Sequence, residues 1–270
     1  MTTQNWFLEH EQILRLSCFV SILLIMVLWE WFAPKRQLLL TRRRRWPHNI
    51  GLVILNTLLL RALFPLAAVG VAVFCQQSGL GFFNLIEIPL LISVPLTILL
   101  LDLAIYGQHV AFHRFPLLWR LHKVHHADKD YDVTTGSRFH PIEILLSMLI
   151  KMAIVAILGG PVIAVILFEI ILNGMAMFNH GNIALPYRID DLLRRVIVTP
   201  DMHRVHHSVI TQEMHRNFGF NLSIWDRCFV TYQAFPKHGH VEMEIGLDPT
   251  LSDKQTNSLP GMLSLPFRKS

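Results

Sequence analysis

The stretch His109-Val110-Ala111-Phe112-His113-Arg114-Phe115-Pro116-Leu117-Leu118-Trp119-Arg120-Leu121-His122-Lys123-Val124-His125-His126 decides how this chain is read. It grows out of an apolar segment, about residues 88–112, long enough to cross a hydrocarbon core of about 30 Å as a helix. Residues at i, i+3 and i+4 share a helix face, so His109 and His113 are neighbours at the end of that span. Pro116 cannot continue the helix but suits the first turn of a new one, on which His122, His125 and His126 share a face. The pattern returns at His203-Arg204-Val205-His206-His207. Before it, Thr199-Pro200-Asp201 reads as an N-cap, a proline at the first helical position and an acid in the first turn. With His180, which closes another apolar block, nine imidazoles gather around membrane-like segments. Imidazole binds iron, zinc, copper and nickel well. Nine rings are too many for one ion and suit two, so the spacing implies a membrane-embedded dinuclear metal site.

The composition agrees with a membrane setting. The chain has 270 residues, 52% of them hydrophobic and 16% charged, where soluble proteins carry about 25% charged residues. Its mean hydropathy is +0.42. The net charge of +5 is concentrated in Arg42-Arg43-Arg44-Arg45 beside an apolar segment, the pattern of membrane topology. No basic domain with interleaved aromatics is present, which argues against nucleic-acid binding. The three cysteines, Cys18, Cys75 and Cys228, have no partner at ligand spacing, so neither a disulfide framework nor a cysteine metal site is implied. Glu9 and Glu11 precede the first apolar run without a small-residue cleavage site after it, so that run reads as a span and not as a signal peptide.

Four apolar blocks organise the chain: residues 13–32, 50–74 (with Arg61 inside), 88–112 and 141–177. The last is broken by Gly159-Gly160-Pro161 and reads as a helical hairpin, crossing the bilayer or dipping into it; Lys151 favours a shallow path, because a buried lysine is costly. The expected fold is an all-α membrane protein, a bundle of about four to five transmembrane or hairpin helices with a cytosolic, helical, histidine-rich cap holding the dinuclear site. Basic residues 35–49 place that loop and the histidines on the cytoplasmic side, with a bacterial inner membrane as the expected location. The expected division is residues 1–86 as N-terminal transmembrane helices with a basic loop, 87–235 as the catalytic domain, and 236–270 as a C-terminal tail, loosely ordered from Ser252 onward.

Metal-bound histidines pass their other N–H to a carboxylate or carbonyl. Asp102 and Glu169 are the first expectations for that supporting role, since a charge at their depth needs a partner, and Arg61 is one candidate partner. His140, between the two boxes, is a further candidate ligand or supporting group, whereas Glu143, Asp201 and Asp226 are read as helix caps or arginine partners. His10, His48, His215, His238 and His240 are read as ordinary surface or core histidines.

At these residues the chain resembles the fatty acid hydroxylase/sterol desaturase superfamily of membrane histidine-rich di-iron enzymes. The matching text is His109-x-x-x-His113, then Leu118-Trp119-Arg120-Leu121-His122-Lys123-Val124-His125-His126, Arg138-Phe139-His140-Pro141, His180-Gly181-Asn182 and Pro200-Asp201-Met202-His203-Arg204-Val205-His206-His207-Ser208. Asn217-Phe218-Gly219 and Trp225-Asp226-Arg227 complete it, which adds Asn217 and Asp226 to the supporting residues. Phe218 stands where members often carry Tyr. The resemblance implies that His109, His113, His122, His125, His126, His180, His203, His206 and His207 hold two non-haem iron ions. It further implies O2-dependent hydroxylation of a lipid C–H bond on a fatty acyl, sterol or related substrate, with desaturation on the same site as the alternative. No Gly-x-Gly-x-x-Gly follows a strand, so the electrons are expected from a separate electron-transfer protein or reductase. The rival from another class is a membrane protein that binds metal without redox chemistry, such as a zinc carrier. Collection of the histidines on one side argues against transport, and the absence of His-Glu-x-x-His argues against a zinc hydrolase. Oligomeric state is not legible in the sequence.

Overall fold

The computed structural model describes residues 3–65, 67–86, 88–247 and 250–268. In chain order it contains α1 (Thr3–Phe32), α2 (Arg42–Leu63), α3 (Ala67–Ser78), α4 (Phe82–Leu85), α5 (Leu90–Arg114), α6 (Pro116–His126), α7 (Pro141–Leu158) and α8 (Val162–Asn179). Seven short helices follow: α9 (Tyr187–Leu193), α10 (Pro200–His206), α11 (Thr211–Met214), α12 (Ile224–Cys228), α13 (Gly239–Glu242), α14 (Asp253–Asn257) and α15 (Leu259–Ser264). Among the described residues there is no β-strand, and five helical stretches are long and apolar enough to cross a membrane. The chain is an all-α integral membrane protein.

Helix α8 is the central post, packed against α1, α3 and α5 and touching α10 at its far end. Its Val165, Ile166 and Phe168 join Leu101 of α5 and Val155 of α7 in the main apolar core. The lipid-facing character of α1 shows in Leu24, Ile25 and Leu28, each more than half exposed. A water-soluble fold could not leave so long an apolar stripe uncovered.

The second apolar block is two helices and not one. Pro65 disfavours helical geometry at the residue before it, and α2 ends at Leu63. Lys151 does not force a shallow hairpin either: inside the bundle it pairs with Glu169, which also takes Arg15 at 2.8 Å. Charges at this depth are tolerable when paired. Arg61, the partner expected for Asp102 or Glu169, stays exposed on α2. The hairpin turns on Gly159, whose φ of +60° suits glycine, and a side chain there would strike the backbone of Leu80 and Gly81.

One expectation about the polar ends is corrected. Residues 250–268 are not a loose tail. Met262 and Leu265 are buried against Leu52 of α2 and Val124 of α6, and Ser252 and Gln255 form a capping box on α14. The amphipathic spacing that achieves this spans barely two turns, too short to register against the polar residues before it. The arginine run, read from sequence as a topology signal, is divided between two settings. Arg43 and Arg44 are exposed, whereas Arg45 is fully buried. It donates Nε and Nη2 to the two oxygens of Asp128 (3.0 and 2.6 Å) and Nη1 to Asp132 (2.6 Å).

Candidate metal centre

Three helix ends and one hinge converge on the side of the bundle where α5 and α8 finish. The chain turns at Phe115-Pro116, so α6 folds back on α5 and brings His122 to 5.0 Å from His109 and His126 to 4.8 Å from His113, measured between ring centroids. Helix α10 starts at Pro200 behind Thr199, whose hydroxyl accepts from Met202 N at 3.3 Å. It presents His206 to His109 and His113 at 4.5 and 4.6 Å. His180 caps α8 and meets His203 at 4.5 Å.

The nine rings fall into two groups. One nitrogen from each of His109, His113, His122, His126 and His206 lies within 4.8 Å of the others, and the same holds for His125, His180, His203 and His207. Each His-x-x-His-His box is thus divided between the groups. The groups share a wall, where His126 and His207 stack at 4.6 Å.

Four of the nine ring protons are accounted for by neighbours. Nδ1 of His109 donates to Phe218 O, that of His206 to Arg216 O and that of His180 to Ala176 O, each at 2.8 Å. Nδ1 of His122 donates to Glu143 Oε1 at 2.6 Å. These partners fix the tautomer and leave a lone pair on Nε2. Nε2 of His109, His122 and His206 is buried with no hydrogen-bond partner. Nε2 of His180 lies 3.1 Å from Nε2 of both His125 and His203. Two nitrogens held about 2.1 Å from one cation would lie about 3 Å apart, so the spacing fits a shared metal ion. Burial pushes the imidazolium pKa of His122 and of His180 down to about 3 and holds His125, His126, His203, His206 and His207 well below the usual value. The rings are therefore neutral, the state a metal requires.

The supporting residues are distributed less simply. Asp102 accepts from Asn221 N, Leu222 N and Trp225 Nε1 and reaches no ring. Asp226 accepts from Phe218 N and Gly219 N at 2.8 and 2.7 Å, so it braces the peptide whose carbonyl takes the His109 proton. Asn217, at φ 54°, ties Met202 O of α10 to Gln233 O. Glu169 is spent on Lys151 and Arg15, away from the rings. His140 is in neither histidine group; it caps α7 by accepting from Ile142 N. Glu143, read from sequence as a helix cap, is the carboxylate that touches a grouped histidine. Its place one turn inside a helix that starts at Pro141 was the available signal. Tyr131 escaped the sequence altogether and Phe139 entered it only within a matching stretch, without a role: Tyr131 packs on His180 and His207, and Phe139 stacks on His125 at 4.7 Å.

Two openings reach the site. A narrow slot of about 140 Å³ between α5, α7 and α8 is lined by Ile105, Ile144, Leu172 and Phe220 together with His109, His122, His125 and His203. A wider cleft of about 560 Å³ meets His113 from the other side, beside Trp119 and His215.

Residues 94–231 match the sequence model of the family described as fatty acid hydroxylase. The chain belongs to that family. The match takes in α6, α7, α8 and α10 and all nine histidines. An ornithine lipid hydroxylase of Rhizobium tropici is 27% identical over 185 residues, 67% of this chain and 54% of the relative. An alkylglycerol monooxygenase of Xenopus tropicalis is 26% identical over 224 residues, 79% of this chain and 45% of the relative. That of Homo sapiens is 26% identical over 138 residues, 49% of this chain and 29% of the relative. The chain thus spans about half the length of the first two of these relatives. No solved structure matches it.

Proposed function

We propose that this chain is an O2-dependent lipid hydroxylase whose nine grouped histidines hold two iron ions. The observation that carries the reading is the partition of nine buried rings into two groups, four of whose members line a largely apolar slot. Bound there, the irons would supply O2 activation and oxidation of a C–H bond, with two electrons and two protons from outside completing conversion of RH and O2 to ROH and water.

The chain's own residues do the rest. Carbonyls of Phe218, Arg216 and Ala176 and the carboxylate of Glu143 hold four rings in one tautomer. Glu143 also offsets cation charge that neutral imidazoles cannot. Ile105, Ile144 and Leu172 line a path for a lipid from the bilayer and keep bulk water from the reacting carbon. Residues 87–235 form the catalytic domain in this reading. The site faces the cytoplasm, a placement favoured by the exposed Arg43 and Arg44, where a separate electron-transfer protein supplies reductant.

Metal analysis of protein purified from iron-replete cells tests the proposal. About two irons per chain are expected, with His206→Ala and His125→Ala each depleting the centre and the double variant holding almost none. Addition of lipid, reductant and O2 should then yield an alcohol. One metal or none in the unaltered protein would sink the dinuclear reading.

A further inference from the structure

The slot is not uniformly apolar. Besides the four histidines, three polar side chains line it: Gln108 of α5, and Glu143 and Ser147 of α7. Gln108 Nε2 donates to Ser147 Oγ at 2.9 Å, which ties the two helices across the slot. Gln108 Oε1 is buried with no hydrogen-bond partner. So is Glu143 Oε2, on a residue only 3% exposed whose other oxygen is committed to His122. An acceptor buried in an apolar wall is costly unless something donates to it. A plain methylene chain filling this slot would leave both acceptors unpaired beside the reacting carbon.

We infer that the slot selects a lipid carrying a hydrogen-bond donor, a hydroxyl or ammonium group, close to the carbon that reacts, and that Gln108, Ser147 and Glu143 read that donor. The carbon is then near the polar end of the lipid and not in mid-chain. This rests on the hydroxylase reading for the reacting carbon, but not for the binding preference. It is chemically consistent with relatives named for an alkylglycerol and an ornithine lipid, both of which carry such donors. A site built to donate to or accept from a polar group discriminates strongly against the analogue lacking it, because its own buried groups lose their partner.

Equilibrium binding to the iron-loaded, detergent-solubilised protein under anaerobic conditions tests this without turnover. The first pair of probes is hexadecylglycerol and the same ether with both hydroxyls methylated. The second pair is hexadecylamine and its trimethylammonium counterpart, which separates a hydroxyl donor from an ammonium donor. At least one donor-bearing lipid is expected to bind about a hundredfold tighter than its capped analogue. Gln108→Leu should erase most of that preference while iron content stays unchanged, and Gln108→Glu, which keeps the acceptor, should retain it. Equal binding within both pairs, or a preference untouched in Gln108→Leu, would overturn the inference. Turnover of capped lipids as fast as uncapped ones would do so too and leave the hydroxylase reading intact. A clear binding preference in a protein that oxidises no lipid would remove the hydroxylase reading and leave the binding inference standing.

Discussion

Two buried polar clusters sit at opposite ends of the segment 122–138, and they are built on opposite principles. At one end, Arg45 and Arg138 are locked to Asp128 and Asp132, to Asn49 and to the backbone of Thr256. In that knot Arg138 Nε is the one side-chain atom of these residues left without a partner. At the other end, the nine grouped histidines leave eleven buried ring nitrogens unpartnered. Native interiors satisfy their polar groups. The knot does so internally and so serves the fold, fastening α2, the loop after α6 and the C-terminal helices together. The histidine centre does not, and the deficit is what a pair of cations would fill.

Arg45→Met gives the sharpest test of this contrast. Losing one partner strands Asp128 and Asp132 in the interior, so a loss of about 3–5 kcal/mol is expected in chemical unfolding of the solubilised protein. If the knot is purely structural, the molecules that remain folded keep their iron. Iron loss without loss of stability would mean that the two clusters are one functional unit.

Glu143→Gln acts from the other side. An amide still occupies the space beside His122 but no longer carries the charge, and the expected cost is roughly 10–100-fold in metal affinity or turnover, read by chelator competition. Stability of the metal-free protein should barely change. A large loss of stability there would reassign Glu143 to the fold.

Acid provides the mildest discrimination, because the two clusters should fail in different windows. The grouped histidines outside the spans have folded pKa values depressed by burial, to about 3 for His122 and His180. Between about pH 6.5 and that value the unfolded chain binds more protons than the folded one, so metal-free protein loses stability as pH falls through this range. In the knot, Arg138 and Arg45 hold the Asp128 carboxyl down to about 2 against its own burial. Its contribution is full above the ordinary carboxylate range and is lost only as pH falls from about 4 toward 2. Thermal melts of metal-free protein at stepped pH should show the decline beginning near pH 6.5; a flat profile down to pH 4 would contradict the burial of the rings.

Much of this was written in the sequence because it depends on local periodicity. Apolar blocks of membrane length, Pro116 and Pro200 at helix starts, and histidines three and four apart need only the rise and turn of a helix to be read. Eight of the nine grouped residues are singled out by this spacing, and the ninth, His180, by its place at the end of an apolar block. The supporting roles were less legible. Asp102 can share a helix face with His109, and Glu169 with His180, yet one is drawn to the segment 221–225 and the other to Lys151 and Arg15. Glu143 reaches His122 from a helix that begins fifteen residues after α6 ends.

The sequence alone therefore determined the membrane helices and the identity of the clustered histidines, since both follow from local pattern along one chain, the spacing of eight rings and the place of His180 at the end of an apolar block. Only the tertiary structure decided which box member joins which group, that Arg45 is buried, that residues 250–268 clamp α6, and where two unpaired acceptors face the slot. Those facts depend on crossings between helices distant in sequence, where the partner that satisfies a polar group is chosen by packing and not by the residues beside it.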